Sequence, residues 1–334
     1  MSAFPAGLRF ADLFCGIGGF HHAASQAATA AGIPSRCVFA SDIDPAARAA
    51  YAGNFGLEPA GDICAVHTAQ VPEHDLLCGG FPCQAFSIIG SRRGFADTRG
   101  TLFFELARIL GDRRPPLVLL ENVKQLRSHD KGRTLATVMG TLEELGYHAE
   151  HRVLNALDFG LPQKRERIFI AGFASGETAE AFRWPSMGRS SIPLFALLEP
   201  SPASRYRASE YIRSRRRASV AGRTGLPPVG IWHENKSKNV SVHPYSCALR
   251  AGASHSYLLV NGERRLTERE QLRLQGFPDS HVPFGSYSAL RRQAGNSIPV
   301  PVAKAVLGAM LAACLQTADP ASHGRAGGGS APKP

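Results

Sequence analysis

A doubly wound, mostly parallel α/β sheet with a second, smaller and irregular domain is the architecture predicted for this chain of 334 residues. Three observations lead to it. Short apolar runs alternate with helix-like stretches through the first half. That rhythm stops at Trp184-Pro185, where Ser, Pro and Arg take over, and a long apolar helix pattern returns near the end. Alternating strands and helices favour parallel pairing, because parallel neighbours need a crossover connection and a helix supplies it.

Residues 8–14 read as the first strand, and the alanine-rich residues 19–31 as the first helix, alanine being the best helix former. Residues 36–41 form a second strand. Residues 45–55 follow as a helix with Pro45 in its first turn, where a missing N–H is harmless. The apolar runs 75–78, 117–120 and 167–171 are further strands, with helices expected at 101–110 and 134–145. Residues 186–290 make the second domain. It contains the cluster Arg213, Arg215, Arg216 and Arg217, a polar and aromatic stretch at 232–239, and short strands within 245–260. A helix at 300–315 rejoins the first domain, so that 1–185 is completed by 291–316, and the Gly-, Ala- and Pro-rich residues 317–334 read as a disordered tail.

Hydrophobic content of 44% and charged content of 19% are those of a globular protein, while the net charge of +11 suggests a polyanionic partner. The seven cysteines include no Cys-x-x-Cys pair, which argues against a disulfide framework or a structural zinc and fits a reducing cytoplasm. Residues 1–9 lack the basic-then-apolar pattern of a signal peptide, and the uninterrupted apolar run 305–315 is short for a bilayer. The expectation is a soluble cytoplasmic protein with neither a membrane nor a metal partner.

Cys83 lies in Gly79-Gly80-Phe81-Pro82-Cys83-Gln84-Ala85-Phe86-Ser87, directly after an apolar run. A strand feeding that loop presents a thiol at the carboxyl edge of the sheet, where open α/β folds bind ligands. The competing reading is a buried cysteine acting as a small hydrophobe. The glycine- and polar-rich flanks argue against burial.

At the first strand-to-helix turn, Phe14, Gly16, Gly18 and Gly19 let a backbone approach a ligand closely. The spacing is Gly-x-Gly-Gly rather than the Gly-x-Gly-x-x-Gly of dinucleotide folds. Asp42 ends the second strand, where an acid accepts hydrogen bonds from ribose hydroxyls; Asp44 reads as a helix cap ahead of Pro45. Asp62 ends the next segment and could meet an adenine amino group. These residues suit a nucleoside cofactor without a phosphate clamp, and S-adenosylmethionine fits better than a nicotinamide dinucleotide.

Glu121, in Glu121-Asn122-Val123, ends a buried strand at the same sheet edge as Cys83. It reads either as a cap or salt-bridge member, or as a carboxyl whose apolar surround raises its pKa into a proton-donating range. In Gln163-Lys164-Arg165-Glu166-Arg167, strand alternation puts Arg165 and Arg167 on one face. That run is either a solvated charge cluster or a means of ionising Cys83.

Taken with these segments, the chain resembles the DNA (cytosine-5)-methyltransferases of bacterial type II modification systems. Residues 12–20 are similar to that family's cofactor loop, residues 79–87 to its catalytic loop, and residues 121–123 and 163–167 to its two supporting motifs. Arg265-Leu266-Thr267 with Glu270 and residues 275–279 resemble the segment that organises the recognition domain. Residues 293–300, with Asn296, resemble the final motif. The matches occur in the family's order from Arg9 to Leu315. Cys15 stands where the family often has alanine or serine, and Phe81 where many members have a second proline. The stretch 183–257 matches no particular member.

The resemblance implies a Rossmann-like methyltransferase sheet binding S-adenosylmethionine through Phe14, Gly16, Gly18, Gly19, Asp42, Asp62, Pro82 and Asn296. It implies Cys83 as the nucleophile at carbon 6 of a flipped-out cytosine, Glu121 on ring nitrogen 3 and the exocyclic amine, Arg165 on the base's carbonyl oxygen and Arg167 in support. The loop 84–99, with Ser87, Gly90, Arg92, Arg93 and Gly94, would close over the nucleotide. Residues 186–290 would form the target-recognition domain, in which polar side chains at 232–239 and 243–257 read base edges. The implied partners are double-stranded DNA and a cognate restriction endonuclease, with the enzyme acting as a monomer. Nothing in the sequence marks the base that removes the carbon 5 proton. An RNA (tRNA) cytosine-5 methyltransferase is the nearest alternative, but the Cys-Phe-Thr segment of that branch is missing after the arginine motif. A nicotinamide-dependent oxidoreductase lacks its glycine spacing, and a non-catalytic DNA-binding module gives no reason to keep Cys83, Glu121 and Arg165 together.

Overall fold

A computed structural model describes residues 3–82, 102–186, 188 and 192–318. Cys83 and the loop 84–99 lie outside the described residues, as do 319–334. Strand β1 (Leu8–Leu13) is flanked in parallel by β2 (Ser35–Ser41) and β3 (Leu76–Gly79), and β3 pairs in parallel with β4 (Leu117–Val123). The chain then makes β5 (His148–Asn155), the two-residue β6 (Gln163–Lys164) and β7 (Glu166–Phe173). The six-stranded sheet has the order β2-β1-β3-β4-β7-β5, with β7 antiparallel to both neighbours. The mostly parallel α/β sheet is therefore present, and β7 is the strand that runs against it.

Alternate residues of each buried strand serve opposite faces, as the two-residue pleat requires. Leu117 and Leu119 join Phe10, Leu76 and Phe169 beneath α1 (Gly19–Ala30) and α9 (Val300–Ala318). Val118 and Leu120 join Leu13, Leu77 and Ile168 beneath α3 (Leu102–Arg113) and α4 (Arg133–Glu144). Between them in sequence, α2 (Pro45–Phe55) packs Tyr51 at the β2 edge beside Ala40 and Cys15. The stretch Tyr287–Ala318 is long and apolar enough to cross a membrane. Its apolar residues Val302, Val306, Met310 and Leu311 are instead fully buried in this core.

The second part is irregular, as expected, but better ordered than its composition suggests. A three-stranded antiparallel sheet has the order β11 (Leu258–Val260), β8 (Ile231–Glu234), β9 (Val240–His243). The short β10 (Ser246–Cys247) leaves it to pair in parallel with β6. Helix α5 (Gly176–Ala181) follows β7, and α7 (Glu268–Leu274) and α8 (Tyr287–Asn296) lead back to α9. Helix α6 (Glu210–Val220) carries the arginine cluster, burying Arg213 and Arg216 and leaving Arg215 and Arg217 nearer solvent. Arg213 and Arg217 pair with Glu210 and Glu263, and Arg215 and Arg216 with Glu234, Arg216 being only 1% exposed. All four guanidinium groups are thus committed to carboxylates. The cluster is a fastening between α6 and the small sheet.

Behind the first helix lies a histidine cluster. His21 stacks on Phe55 at 3.8 Å, and His22 Nε2 is 3.0 Å from His281 Nδ1. Burial pushes His21 and His22 down to about 4 and His281 to about 3, from 6.5. In the unfolded chain these imidazoles take up protons near pH 6.5; in the fold they resist until near pH 4. Their contribution to stability is thus full above pH 6.5 and lost as pH falls toward 4. Denaturant midpoints measured across that window are expected to drop, and the His281→Gln variant to drop less. Parallel curves for the two proteins would contradict this.

Candidate functional site

The carboxyl ends of β1, β2, β3 and β4 open into one cavity of about 530 Å³. Because β7 is reversed, its beginning reaches the same edge, so residues 165–167 meet the ends of the parallel strands.

At the end nearest β1 and β2, the backbone is bent sharply. Phe14 has φ 56, a left-handed value that bulky side chains avoid at a cost of roughly 1–3 kcal/mol. Gly16 and Gly18 follow with φ 54 and φ 86. Asp42 holds the turn: its Oδ2 accepts from Gly16 N at 2.8 Å and its Oδ1 from Asp44 N at 2.8 Å. Each carboxylate oxygen has two lone-pair positions, so both retain one for a ligand hydroxyl. Burial raises the Asp42 carboxyl above its ordinary range. Asp44 caps α2 through Ala46 N at 2.9 Å and pairs with Arg292 at 3.0 Å, the structural role read from its sequence. Asp62 lines the cavity while capping the turn at Ile63 through Cys64 N. Ile43, 72% exposed, projects at the mouth, and Phe14, Phe20, Ile63 and Phe81 complete an apolar wall. Flat apolar surface beside an acid with spare acceptor capacity suits a purine nucleoside. The residues fit S-adenosylmethionine.

Gly18 is not on the cavity wall. A Cβ there would stand 2.1 Å from the Phe55 ring, so the residue must be glycine both for its φ and for the packing of α2 beneath the loop. Gly18→Ala is expected to lower cofactor affinity at least tenfold and to lower the melting temperature, read by calorimetry and by thermal unfolding. An alanine variant that binds as the wild type does would remove this account.

Glu121, 7% exposed, lies two residues before the end of β4 on the cavity floor. Its Oε1 is 2.9 Å from Arg167 Nε, close enough for an ion pair but not aligned as a hydrogen bond. Burial raises the carboxyl, with the charge of Arg167 and then that of Arg165 opposing. A Cβ on Gly80 would lie 3.6 Å from Glu121 Oε2, so the chain leaves β3 alongside this carboxylate. Asn122 fixes the next step: its Nδ2 donates to Phe81 O at 2.8 Å while its Oδ1 accepts from Val123 N at 2.8 Å. Pro82 follows on the cavity wall, immediately before Cys83.

Arg165 and Arg167 both line the cavity but have different partners. Arg165 occupies the break between β6 and β7, is 1% exposed, and donates to Leu249 O at 2.9 Å, Gly295 O at 3.0 Å and Ser297 O at 2.5 Å. Burial lowers its guanidinium to about 9. Arg167, inside β7, is the one that meets Glu121. Gln163 extends the arrangement by donating to Leu274 O at 2.7 Å and accepting from Leu249 N at 3.0 Å. Gly295 permits it, because a Cβ there would be 2.4 Å from Ala251 N.

Of the residues singled out in the sequence, Phe14, Gly16, Gly19, Asp42, Asp62, Pro82, Glu121, Arg165, Arg167 and Asn296 share this cavity. Gly18 supports it from behind, and Cys83 is outside the described residues. Sequence reasoning passed over Ile43, and it placed Asn122 and Ser297 in motifs without giving them a role. The exposed isoleucine beside Asp42 was the one available signal; the other two act through backbone contacts that only the fold creates. No group of three metal-ligating side chains occurs among the described residues.

The model of the C-5 cytosine-specific DNA methylase family matches residues 8–312. The chain is 49% identical over 300 residues to the type II methyltransferase M.NgoBI of Neisseria gonorrhoeae, covering 88% of this chain and 90% of that one. It is 47% identical over 302 residues to M.HaeII of Haemophilus aegyptius, covering 90% and 92%. Among solved structures, the Dnmt2 methyltransferase of S. pombe superposes with a TM-score of 0.65 at 22% identity, covering 91% of this chain and 98% of that one. A DNMT2 variant of Spodoptera frugiperda gives 0.67 at 20%, covering 91% and 99%. At such identities the structural likeness speaks to the fold alone.

Proposed function

Since the chain belongs to the C-5 cytosine-specific DNA methylase family and is a DNA (cytosine-5)-methyltransferase, we propose that it transfers the methyl group of S-adenosylmethionine to a flipped-out cytosine in a short duplex sequence, with Cys83, Glu121, Arg165 and Arg167 as its working residues. The observation that carries this assignment is the buried Glu121–Arg167 pair at 2.9 Å on the floor of a cavity whose wall includes Pro82, the residue that precedes Cys83 in the sequence.

Carbon 5 of cytosine is a poor nucleophile. Addition of the Cys83 thiolate to carbon 6 makes it an enamine carbon, which splits one hard step into easier ones. Glu121, its carboxyl raised by burial, donates a proton to ring nitrogen 3 and accepts from the exocyclic amine as that charge develops. The resemblance implied Arg165 on the base's carbonyl oxygen, but its nitrogens are committed to backbone carbonyls, so that role passes to Arg167 beside Glu121, and Arg165 holds the wall from Gly295 to Ser297 in place. Asp42 and Asp62 hold the cofactor's hydroxyl and amino groups, with Phe14, Ile43, Gly16, Gly19, Pro82 and Asn296 around it. When bound, S-adenosylmethionine supplies an electrophilic methyl on a sulfonium. Loss of the carbon 5 proton and expulsion of Cys83 complete the cycle. The base must first leave the duplex, at a cost of a few kcal/mol.

Residues 186–290 are proposed as the target-recognition domain, with 1–185 and 291–316 as the catalytic domain. The enzyme would act as a cytoplasmic monomer that protects host DNA from a companion endonuclease cutting the same site. Incubation with S-adenosylmethionine and duplex DNA containing 5-fluorocytosine tests the chemistry, because fluorine at carbon 5 cannot leave as a proton and the adduct is trapped. The wild type is expected to form a covalent complex and Cys83→Ala none. A complex formed equally by Cys83→Ala would sink the nucleophile, and preferential trapping by RNA would favour the tRNA alternative.

A further inference from the structure

Among the described residues, every arginine from position 205 to 292 has a hydrogen-bond or ion-pair partner for its guanidinium, apart from Arg207 and Arg250. Arg250 differs from Arg207 in where it is anchored. Leu249, just before it, is held to the catalytic cavity from both sides, its N donating to Gln163 Oε1 and its O accepting from Arg165. Ala251, just after it, lies against Gly295 on the cavity wall. The backbone N of Arg250 donates to Tyr257 Oη at 2.9 Å, and its guanidinium lies 5.0 Å from the centre of the same ring. Tyr257 is buried at 6% exposure, while Arg250 itself is exposed.

We propose that Arg250 is a sequence-reading residue of this methyltransferase, its guanidinium donating two N–H bonds to O6 and N7 of a guanine in the recognised duplex. A phosphate contact needs only charge on a mobile stem. An exposed cation stacked on a buried ring and fixed through its own backbone has lost that mobility. What remains is a pre-aimed planar fork, the shape that bidentate guanine readout requires. The fork is one residue from a carbonyl held by Arg165, which places base reading in direct mechanical contact with the catalytic cavity. The inference rests on the reading of residues 186–290 as the recognition domain.

The test methylates a random-sequence duplex library with wild type, Arg250→Ala and Arg250→Lys, and maps the products by bisulfite sequencing. The wild type is expected to mark one defined sequence containing a fixed guanine. Both variants are expected to accept other bases at that single position, discrimination there falling roughly ten- to hundredfold, with the remaining positions unchanged. Arg250→Lys keeps the charge and the stem, so relaxation in it assigns the effect to the fork. An oligonucleotide with 7-deazaguanine at that position, lacking the N7 acceptor, should then slow the wild type and leave Arg250→Ala unaffected. A rate loss spread evenly over an unchanged site would mark a phosphate contact and overturn the proposal, as would an unchanged site at full rate. A wild type that methylates without sequence preference would overturn the recognition reading itself.

Discussion

Replacing Glu121 with glutamine is expected to lower the turnover number by about 10²- to 10⁴-fold, the usual worth of a positioned proton donor. Glutamine keeps the length and planarity of the side chain. It can still donate one hydrogen bond to a ring nitrogen and accept one from an amine. What it lacks is an acidic proton whose release is matched to the charge that builds on the base. Burial raises the Glu121 carboxyl from its ordinary range, while Arg167 limits the rise. Cofactor affinity, read by calorimetry, should stay near the wild-type value, because Glu121 lies at the β4 end and the nucleoside-binding residues at β1 and β2. Single-turnover rates on duplex DNA give the decisive number. A variant within twofold of wild type would remove Glu121 from the chemistry.

Arg165→Lys is expected to be the most destabilising conservative change in the site. The guanidinium serves three backbone carbonyls from two nitrogens in a fully buried position. A single ammonium cannot reach all three. Two buried acceptors stripped of their donor cost about 2–6 kcal/mol together. The loss should appear in denaturant midpoints with an unchanged slope, and the released wall at Gly295 and Ser297 should lower activity in the folded fraction. Arg167→Lys makes the contrast: its side chain keeps 15% exposure and a single acidic partner, so its stability should change little while turnover falls. Equal midpoints for the two variants would refute the division of labour between these arginines.

Much of the sheet could be read from the chain because its strands are apolar and buried on both faces. Residues 45–55 fold as the helix the Asp44-Pro45 signal announces, and the β4 run ends where Glu121 turns polar. The strand β5 could not be read this way. His148, Glu150, His151 and Arg152 are exposed at the sheet edge, so no apolar run marks it. Helix α6 was hidden for the opposite reason, its inward face being made of Arg213 and Arg216 neutralised by distant glutamates rather than of aliphatic residues. The site was legible residue by residue, but not in its roles. Alternation relates Arg165 and Arg167, which do line one cavity, but it could not show that Arg165, in the break between two strands, would be taken up by three backbone carbonyls. No local pattern could have shown that Asn122 holds Phe81, since the bond joins residues 41 positions apart.

The first and last helices lie side by side on one face of the sheet, and Ile298 seats against Gly19 so closely that a methyl group there would stand 2.7 Å from it. On the ribosome, α1 is finished long before α9 exists. At about 5–20 residues per second, a nascent chain waits roughly 15–60 s between making one and the other. From the moment each is made until α9 emerges, Phe10, Leu76 and Leu119 lack their α9 cover, so this face of the sheet is the last part of the core to close.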